Sequence, residues 1–173
     1  MKNFDQVLAA AFQDTDLSTS DIPNLDLYMD QILTLFDDGL AANKRYADDK
    51  LLTKTMVNNY SKEHLIMPIK GKKYSREQLM QLLCILNLKQ NLSLADIKTL
   101  TAHEDCSLNF QSAYETSLEL KAGLRERLPE LLQTQLGGTA DLNSKENTLT
   151  LVLALSSAAT YLRRACEQII DSQ

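Results

Sequence analysis

"LTKTMVNNYSKEHLIMPIKGKKYS", residues 52–75, joins a capped polar segment to a lysine-rich turn. Thr53 is a favourable N-cap, and the residues after it predict a short helix that runs to about Lys62. A Pro and a Gly then follow three residues apart, with lysines around them. Residues 65–75, the cationic turn, are therefore predicted to form a tight hairpin or loop with positive charge at its tip.

The positive charge of the chain is concentrated in this stretch. The 173 residues carry a formal net charge of -5. Residues 50–77 hold seven basic and two acidic side chains, whereas residues 1–49 hold three basic and ten acidic, and residues 78–173 hold eight basic and eleven acidic. A single positive segment in an acidic protein produces a localised field, which favours an anionic partner.

Helical patterns precede this stretch. Residues 3–13 predict a first short helix, followed by Asp, Ser, Thr and Pro residues that are typical of a loop. From near Asn24, apolar residues at helical spacing predict a second helix that ends at Gly39. The next ten residues or so are predicted to be a connector that leads to Thr53.

Two further capped helices follow the cationic turn. Ser75 and Gln78 form the pattern of a capping box, and the leucines after them predict an amphipathic helix with one buried stripe. Ser93 and Asp96 repeat the capping pattern before another short helix. The predicted order is therefore helix, capped short helix, cationic turn, amphipathic helix and capped short helix.

The rest of the chain predicts two long helices. The first covers about 108–136, with a bend or interruption at Pro129, which cannot donate to the residue four positions back. The second covers roughly 144–170 and is apolar on most sides from Leu149 to Leu162, so it is predicted to be buried, although its alternating start leaves a strand open there. Small residues within it permit close helix packing inside the chain or across a dimer.

The composition is that of an ordinary globular protein. Hydrophobic residues make up 44% of the chain and charged residues 24%, with five Gly and three Pro, which argues against disorder. The most apolar run, residues 149–155, is too short to span a bilayer. The first residues form an amphipathic pattern with acidic flanks and do not resemble a secretion signal. The sequence therefore predicts no membrane role.

The sequence contains no pattern for metal, redox or catalytic chemistry. Cys84, Cys106 and Cys166 are odd in number and form no CxxC, which predicts reduced thiols in a cytoplasmic protein. His64 and His103 have no partner at a metal-ligand or catalytic spacing. Phosphate loops, dinucleotide fingerprints and hydrolase motifs are absent. A non-enzymatic protein with no cofactor and no metal is the resulting expectation.

The predicted order of elements is that of a winged helix-turn-helix, in which a short helix enters the major groove and a hairpin lies along the backbone. Basic side chains would replace counterions at phosphates, and Thr and Asn can reach base edges, Asn favouring the N6/N7 edge of adenine. Tyrosines can donate to phosphates, although their simpler role is at the rim of the core. The candidate DNA-binding residues are Lys54, Thr55, Asn58, Asn59, Tyr60, Lys62, Lys70, Lys72, Lys73, Tyr74 and Arg76.

Residues 50–100 also resemble the MerR family of regulators. In "TKTMVNNYSKEHLIMP", Thr53 matches the capping residue of the family's recognition helix, and "LIMP" matches its Leu-Leu-x-Pro exit. "KKYS" resembles the Arg-Arg-Tyr-Ser of the family's wing, and "NLSLADIKTL" is similar to the Gly-Phe-Ser-Leu-x-x-Ile that opens the next helix. Asn58 stands where the family has a phosphate-binding Arg. The resemblance implies a MerR-like winged helix-turn-helix in a transcriptional regulator.

A second resemblance covers residues 20–105. "IPNLDLYMDQILTLFDD" and "LLTKTMVNNYSK" are similar to an uncharacterised bacterial family, domain of unknown function 1836. That family implies no activity, so the functional expectation depends on the MerR-like segment.

Together these patterns predict a mainly all-α fold in three parts. Residues 1–19 form an N-terminal helix and linker, residues 20–105 form a MerR-like winged helix-turn-helix with a small β-hairpin wing, and residues 106–173 form a helical dimerisation or effector region. The expected function is a cytoplasmic bacterial transcriptional regulator that binds double-stranded DNA as a homodimer, with a small-molecule or protein effector on its C-terminal helices. The alternative is a helical protein-protein interaction module that retains the winged fold and binds an acidic protein surface.

Overall fold

The computed structural model describes residues 3–101 and 108–172, so His103 and Cys106 lie outside the described residues. Over these residues the fold is mainly helical with one two-stranded antiparallel sheet, which confirms the predicted class at that level. In chain order the elements are α1 (Phe4–Ala11), β1 (Leu27–Tyr28), α2 (Met29–Gly39), α3 (Lys54–Lys62), β2 (Lys73–Tyr74), α4 (Arg76–Leu88), α5 (Leu94–Thr101), α6 (Phe110–Leu136) and α7 (Lys145–Asp171).

The chain divides into two compact units. The central unit is Thr15–Leu118, and the terminal unit combines the segment up to Asp14 with the segment from Glu119 onward. This division differs from the predicted boundaries after residues 19 and 105, because α1 belongs with the C-terminal helices and the first residues of α6 belong with the central unit.

The sheet corrects one feature of the predicted wing. β2, which follows the lysines of the cationic turn, pairs with β1, so that Leu27 lies opposite Tyr74 and Tyr28 opposite Lys73. Of the two alternatives predicted for residues 65–75, the hairpin closed on itself is therefore wrong, and the loop is confirmed. For the same reason α2 begins at Met29 and not near Asn24, since the two residues before it form β1.

The core of the central unit lies along α4. The predicted stripe on this helix is confirmed, and its members are at most 5% exposed: Leu79, Leu82, Leu83, Ile85 and Leu86. Both predicted capping patterns are present. Gln78 Oε1 accepts from Ser75 N–H at 2.8 Å, and Asp96 N–H donates to Ser93 Oγ at 3.1 Å. Each large apolar side chain buried here contributes about 1.5–3 kcal/mol.

The loop before β1 is held on this core by polar contacts. Arg76 Nη2 donates to the Thr19 carbonyl at 2.6 Å, and Arg76 Nη1 donates to the Ile22 carbonyl. Tyr114 Oη donates to the Leu17 carbonyl at 2.9 Å, and burial raises the pKa of this phenol. Gly39 lets the loop approach α2 closely, because a Cβ there would lie 2.8 Å from Leu17 Cγ.

The terminal unit has a smaller core at one end of its helices. Phe4 and Leu8 of α1 pack with Leu151 of α7, and partly buried apolar residues surround them. Asp14 binds Lys121 and Arg125, with 2.9 Å from its Oδ1 to Arg125 Nη2. α1 is therefore attached to both α6 and α7.

The two long helices depart from the sequence-based expectations. α6 runs through Pro129 as one continuous helix, so the interruption is wrong, whereas the bend stays a prediction. The region from Lys145 is helical, so the strand alternative is wrong. The predicted burial of α7 is also wrong for the single chain, since Leu149 and Leu162 are 60% and 66% exposed.

None of the helices over residues 3–101 and 108–172 combines the length and apolarity that a membrane crossing requires. In the same residues, no three His, Cys, Asp or Glu side chains come together as metal ligands would.

Adding a methyl group at Gly39 is expected to destabilise the central unit, because Leu17 is buried and must move to make room. Gly39→Ala should reduce the free energy of unfolding by about 1–3 kcal/mol. Gly123→Ala is the matched control, since Gly123 lies inside α6 and, apart from its chain neighbours and the backbone of its own helix, no atom lies within 4 Å of the added Cβ. It should instead stabilise the protein by about 0.5–1 kcal/mol. Denaturant titrations compare the two, and equal effects would contradict the close approach at Gly39.

Candidate nucleic-acid interface

α3 is built as an amphipathic helix with a side-chain cap. Thr53 adopts extended backbone angles, and its Oγ1 accepts from Met56 N–H at 3.2 Å. Val57 and Tyr60 are 0% and 3% exposed, so their side of the helix faces the core. The helix predicted from Thr53 to Lys62 is confirmed.

The opposite side of α3 presents polar side chains to solvent. Lys54, Asn58 and Lys62 recur every fourth residue and form one row, with Thr55 and Asn59 beside it. All five residues are exposed. Within residues 3–101 and 108–172 none of them takes part in an ion pair, so this face is open to an external partner.

The exit from α3 turns sharply through a left-handed residue. His64 has φ +58°, and Leu65 N–H donates to the Tyr60 carbonyl at 2.9 Å, as in a helix that ends in a Schellman-type turn. Leu65 and Ile66 then bury completely or nearly so. The chain is thereby anchored to the core immediately before the lysines of the cationic turn.

Two glutamines of α4 hold the next part of the cationic turn. Gln78 Nε2 donates to the Met67 and Pro68 carbonyls, both at 3.1 Å. Gln81 Oε1 accepts from Met67 N–H at 2.9 Å. This pair of side chains, the glutamine clamp, holds the backbone of Met67 and Pro68 on α4.

The lysines emerge beyond the clamp. Gly71 has φ +77°, a conformation that favours glycine, and it forms the tip between the exposed Lys70 and Lys72. Lys73 Nζ lies 5.0 Å from the ring centroid of Tyr28, its partner across the sheet, in a cation–π contact. The cationic turn is therefore fixed at its base by the clamp and on its return by the sheet.

Three of the eleven predicted site residues belong to the fold. Tyr60 and Tyr74 are 3% and 5% exposed, and burial raises the pKa of both phenols, so their predicted phosphate contacts are replaced by packing in the core. Arg76 uses both terminal nitrogens to bind backbone carbonyls of the loop before β1. The structure leaves eight exposed candidates: Lys54, Thr55, Asn58, Asn59, Lys62, Lys70, Lys72 and Lys73.

One acidic group near α3 is paired with lysines outside the candidate site. Asp37 of α2 binds Lys44 at 2.7 Å and Lys50 at 3.9 Å. The hydrogen bond from Lys44 holds the pKa of the Asp37 carboxyl below its ordinary value. In the described part of the chain no carboxylate pairs with Lys54, Lys62, Lys70 or Lys72, so these charges are not neutralised internally.

Sequence reasoning missed most of the glutamine clamp. The capping pattern predicted the contact of Gln78 with Ser75, but not its bonds to the cationic turn or the role of Gln81. The available signal was position: Gln78 and Gln81 lie three residues apart on the apolar stripe of α4, with Leu82 next to them. A polar residue on a buried stripe indicates a specific hydrogen-bond partner.

The comparison with protein families identifies the central unit. A family model described as "Domain of unknown function (DUF1836)" matches residues 17–118. The chain belongs to the DUF1836 family. The matched region nearly coincides with the central unit, Thr15–Leu118, and contains all eight exposed candidates. No curated protein and no solved structure matches the chain.

Removing the hydrogen-bonding groups of Gln78 is expected to loosen the cationic turn of the central unit, which is called the DUF1836 unit from here on. Gln78→Met keeps the length of the side chain but leaves the Ser75 N–H and two carbonyls without this partner, so the free energy of unfolding should fall by about 2 kcal/mol. Gln90→Met, at an exposed position just beyond the end of α4, is the matched control and should change this free energy by less than about 0.5 kcal/mol. If denaturant unfolding curves of Gln78→Met and the wild type coincide, the hydrogen bonds of Gln78 do not stabilise the fold.

Proposed function

We propose that the DUF1836 unit binds double-stranded DNA, with α3 in the major groove and the cationic turn along the phosphate backbone. The observation that carries the proposal is the joint exposure of the polar face of α3 and the lysines of the turn, in a protein whose net charge is -5. An acidic protein does not bind DNA through its overall charge, so binding needs such a localised positive surface.

The arrangement of elements supports a winged helix. The order is strand, helix, helix, cationic turn, strand and helix, and the sheet brings the end of the turn to the residue before α2. α3 and the turn are adjacent along the chain. α3 buries Val57 and Tyr60 in the core, and the turn is held on α4 by the glutamine clamp. This order accords with the MerR-like resemblance of residues 50–100, which is the source of the proposed role in transcription regulation.

The two parts of the surface have different chemical roles. Lys70 and Lys72 at the tip, with Lys54 and Lys62 on α3, would bind phosphates and release counterions. Asn58 and Asn59 carry amides that can bind adenine in a bidentate manner. Phosphate contacts position a protein on DNA, whereas base contacts specify the sequence. A regulator of this kind needs no catalytic group and acts in the cytoplasm.

Reversing charge at the tip should weaken binding to every duplex. An exposed ion pair contributes up to about 1 kcal/mol, so Lys70→Glu with Lys72→Glu should raise Kd by about tenfold or more at low salt. The slope of log affinity against log salt should decrease by about 1.8, for two lost phosphate contacts. Fluorescence anisotropy with a random duplex, with heparin as competitor, measures both.

The control for this variant is Lys89→Glu with Lys98→Glu. These residues are exposed in the same unit, at the end of α4 and on α5, and the change in net charge is identical. If both variants lose affinity equally, binding follows overall charge and the turn is not the contact. If the wild-type chain does not bind duplex DNA at micromolar concentration, the proposal fails.

Removing the two amides on α3 should change sequence preference more than affinity for random DNA. Each bidentate contact contributes about 1–3 kcal/mol of discrimination between bases, so duplexes selected from a random pool by Asn58→Ala with Asn59→Ala should lose the consensus that the wild type selects. Asn87→Ala, at an exposed position of α4, should select the wild-type consensus. An unchanged consensus in the double variant would exclude these amides from base recognition.

The interaction-module alternative uses the same lysines, because an acidic protein surface also presents oxygens to ammonium groups. This alternative predicts that the protein does not change the fluorescence anisotropy of duplex DNA at any salt concentration. The anisotropy measurement on the wild-type chain therefore separates the two functions.

A further inference from the structure

The terminal unit exposes large apolar side chains along both of its long helices. On α6, Leu120, Leu124 and Leu131 are 54–68% exposed, and their spacing of four and seven residues places them on one stripe. On α7, six more are 58–67% exposed. They are Leu149, Val152, Leu153, Tyr161, Leu162 and Ile169.

The burial of α7 does not match its sequence. A helix that is apolar on most sides is normally surrounded by protein. Over its 27 residues, however, only Leu151 and Ile170 are buried. The small core around Phe4 and Leu8 covers one end of the unit and leaves most of α7 in solvent. The helix therefore has the composition of a buried element without the cover that burial requires.

We infer that a second copy of the chain covers these helices, so that α6 and α7 form the interface of a homodimer. The size of the surface supports this occupant. A fully buried Leu-sized side chain corresponds to roughly 100 Å² of apolar area, so the nine residues offer about 550 Å² at their observed exposure. On α7 this area lies on more than one side of the helix, since Leu162 and Ile169 lie nearly opposite Leu149. A standard interface buries about 800 Å² per partner, of which about 60% is apolar.

Charge also favours a second copy over other partners. The part of α6 from Glu119 to Leu136 carries three acidic and three basic residues, and α7 carries the same numbers. Because neither segment has a net charge, two copies do not repel each other. A nucleic acid or an anionic lipid surface would find no excess of positive charge here. The inference is therefore independent of the DNA-binding surface on the DUF1836 unit.

Placing charge on the apolar stripes should dissociate the dimer. Leu149→Glu with Leu153→Glu on α7, and separately Leu120→Glu with Leu124→Glu on α6, add two carboxylates per chain at solvent-exposed positions. We expect the full-length wild type to sediment with twice the 19.5 kDa mass of one chain. Each double variant should raise the dimer dissociation constant by about a hundredfold or more, as losing several central apolar contacts does.

The matched control is Gln90→Glu with Asn91→Glu, which adds the same charge to exposed polar positions outside α6 and α7. It should sediment as the wild type does, and circular dichroism should show equal helix content in all variants. A wild type that stays monomeric up to about 100 μM would overturn the inference. So would equal dissociation by the control, or growth into open aggregates, or binding of neutral lipid vesicles through these stripes by a monomer.

The same samples separate this inference from the proposed function. A dimer that fails to bind DNA supports the interface and removes the DNA proposal. A monomer that binds DNA supports the DNA proposal and overturns the proposed interface.

Discussion

The conformation of the cationic turn depends on two glutamines that interrupt the apolar stripe of α4. Gln78 and Gln81 bind the backbone of Met67 and Pro68 in a buried setting, where an unpaired peptide group would be costly. β2, which follows the tip, pairs with β1. The lysines at the tip therefore project from a segment that is fixed on two sides.

Asp37 does not neutralise this surface, because it binds Lys44 and Lys50, which lie outside α3 and the cationic turn. Arg76, which the sequence placed among the DNA-binding residues, is used inside the fold. The exposed lysines of α3 and the turn therefore produce a local positive potential, although the protein is acidic overall.

Capped helices were predictable because their signals are local. Thr53, Ser75 and Ser93 each satisfy backbone N–H groups within three residues, and the leucines of α4 define their buried stripe by spacing alone. The exposed residues of α3 followed from the same periodicity. Tyr60 and Tyr74 were placed correctly only as packing residues, because proximity in sequence to lysines does not determine the direction of a side chain.

The amino-acid sequence by itself determined the localisation of positive charge, which needs only a count of residues. It also determined the capped helices α3, α4 and α5 and the polar face of α3, since these depend on contacts between residues three or four apart. Only the tertiary structure decided that β2 pairs with β1, that Arg76 and Gln81 bind backbone groups far along the chain, and that α7 is left exposed. Those outcomes depend on which elements, distant in sequence, come into contact. A pattern with a period of a few residues carries no information about such tertiary contacts.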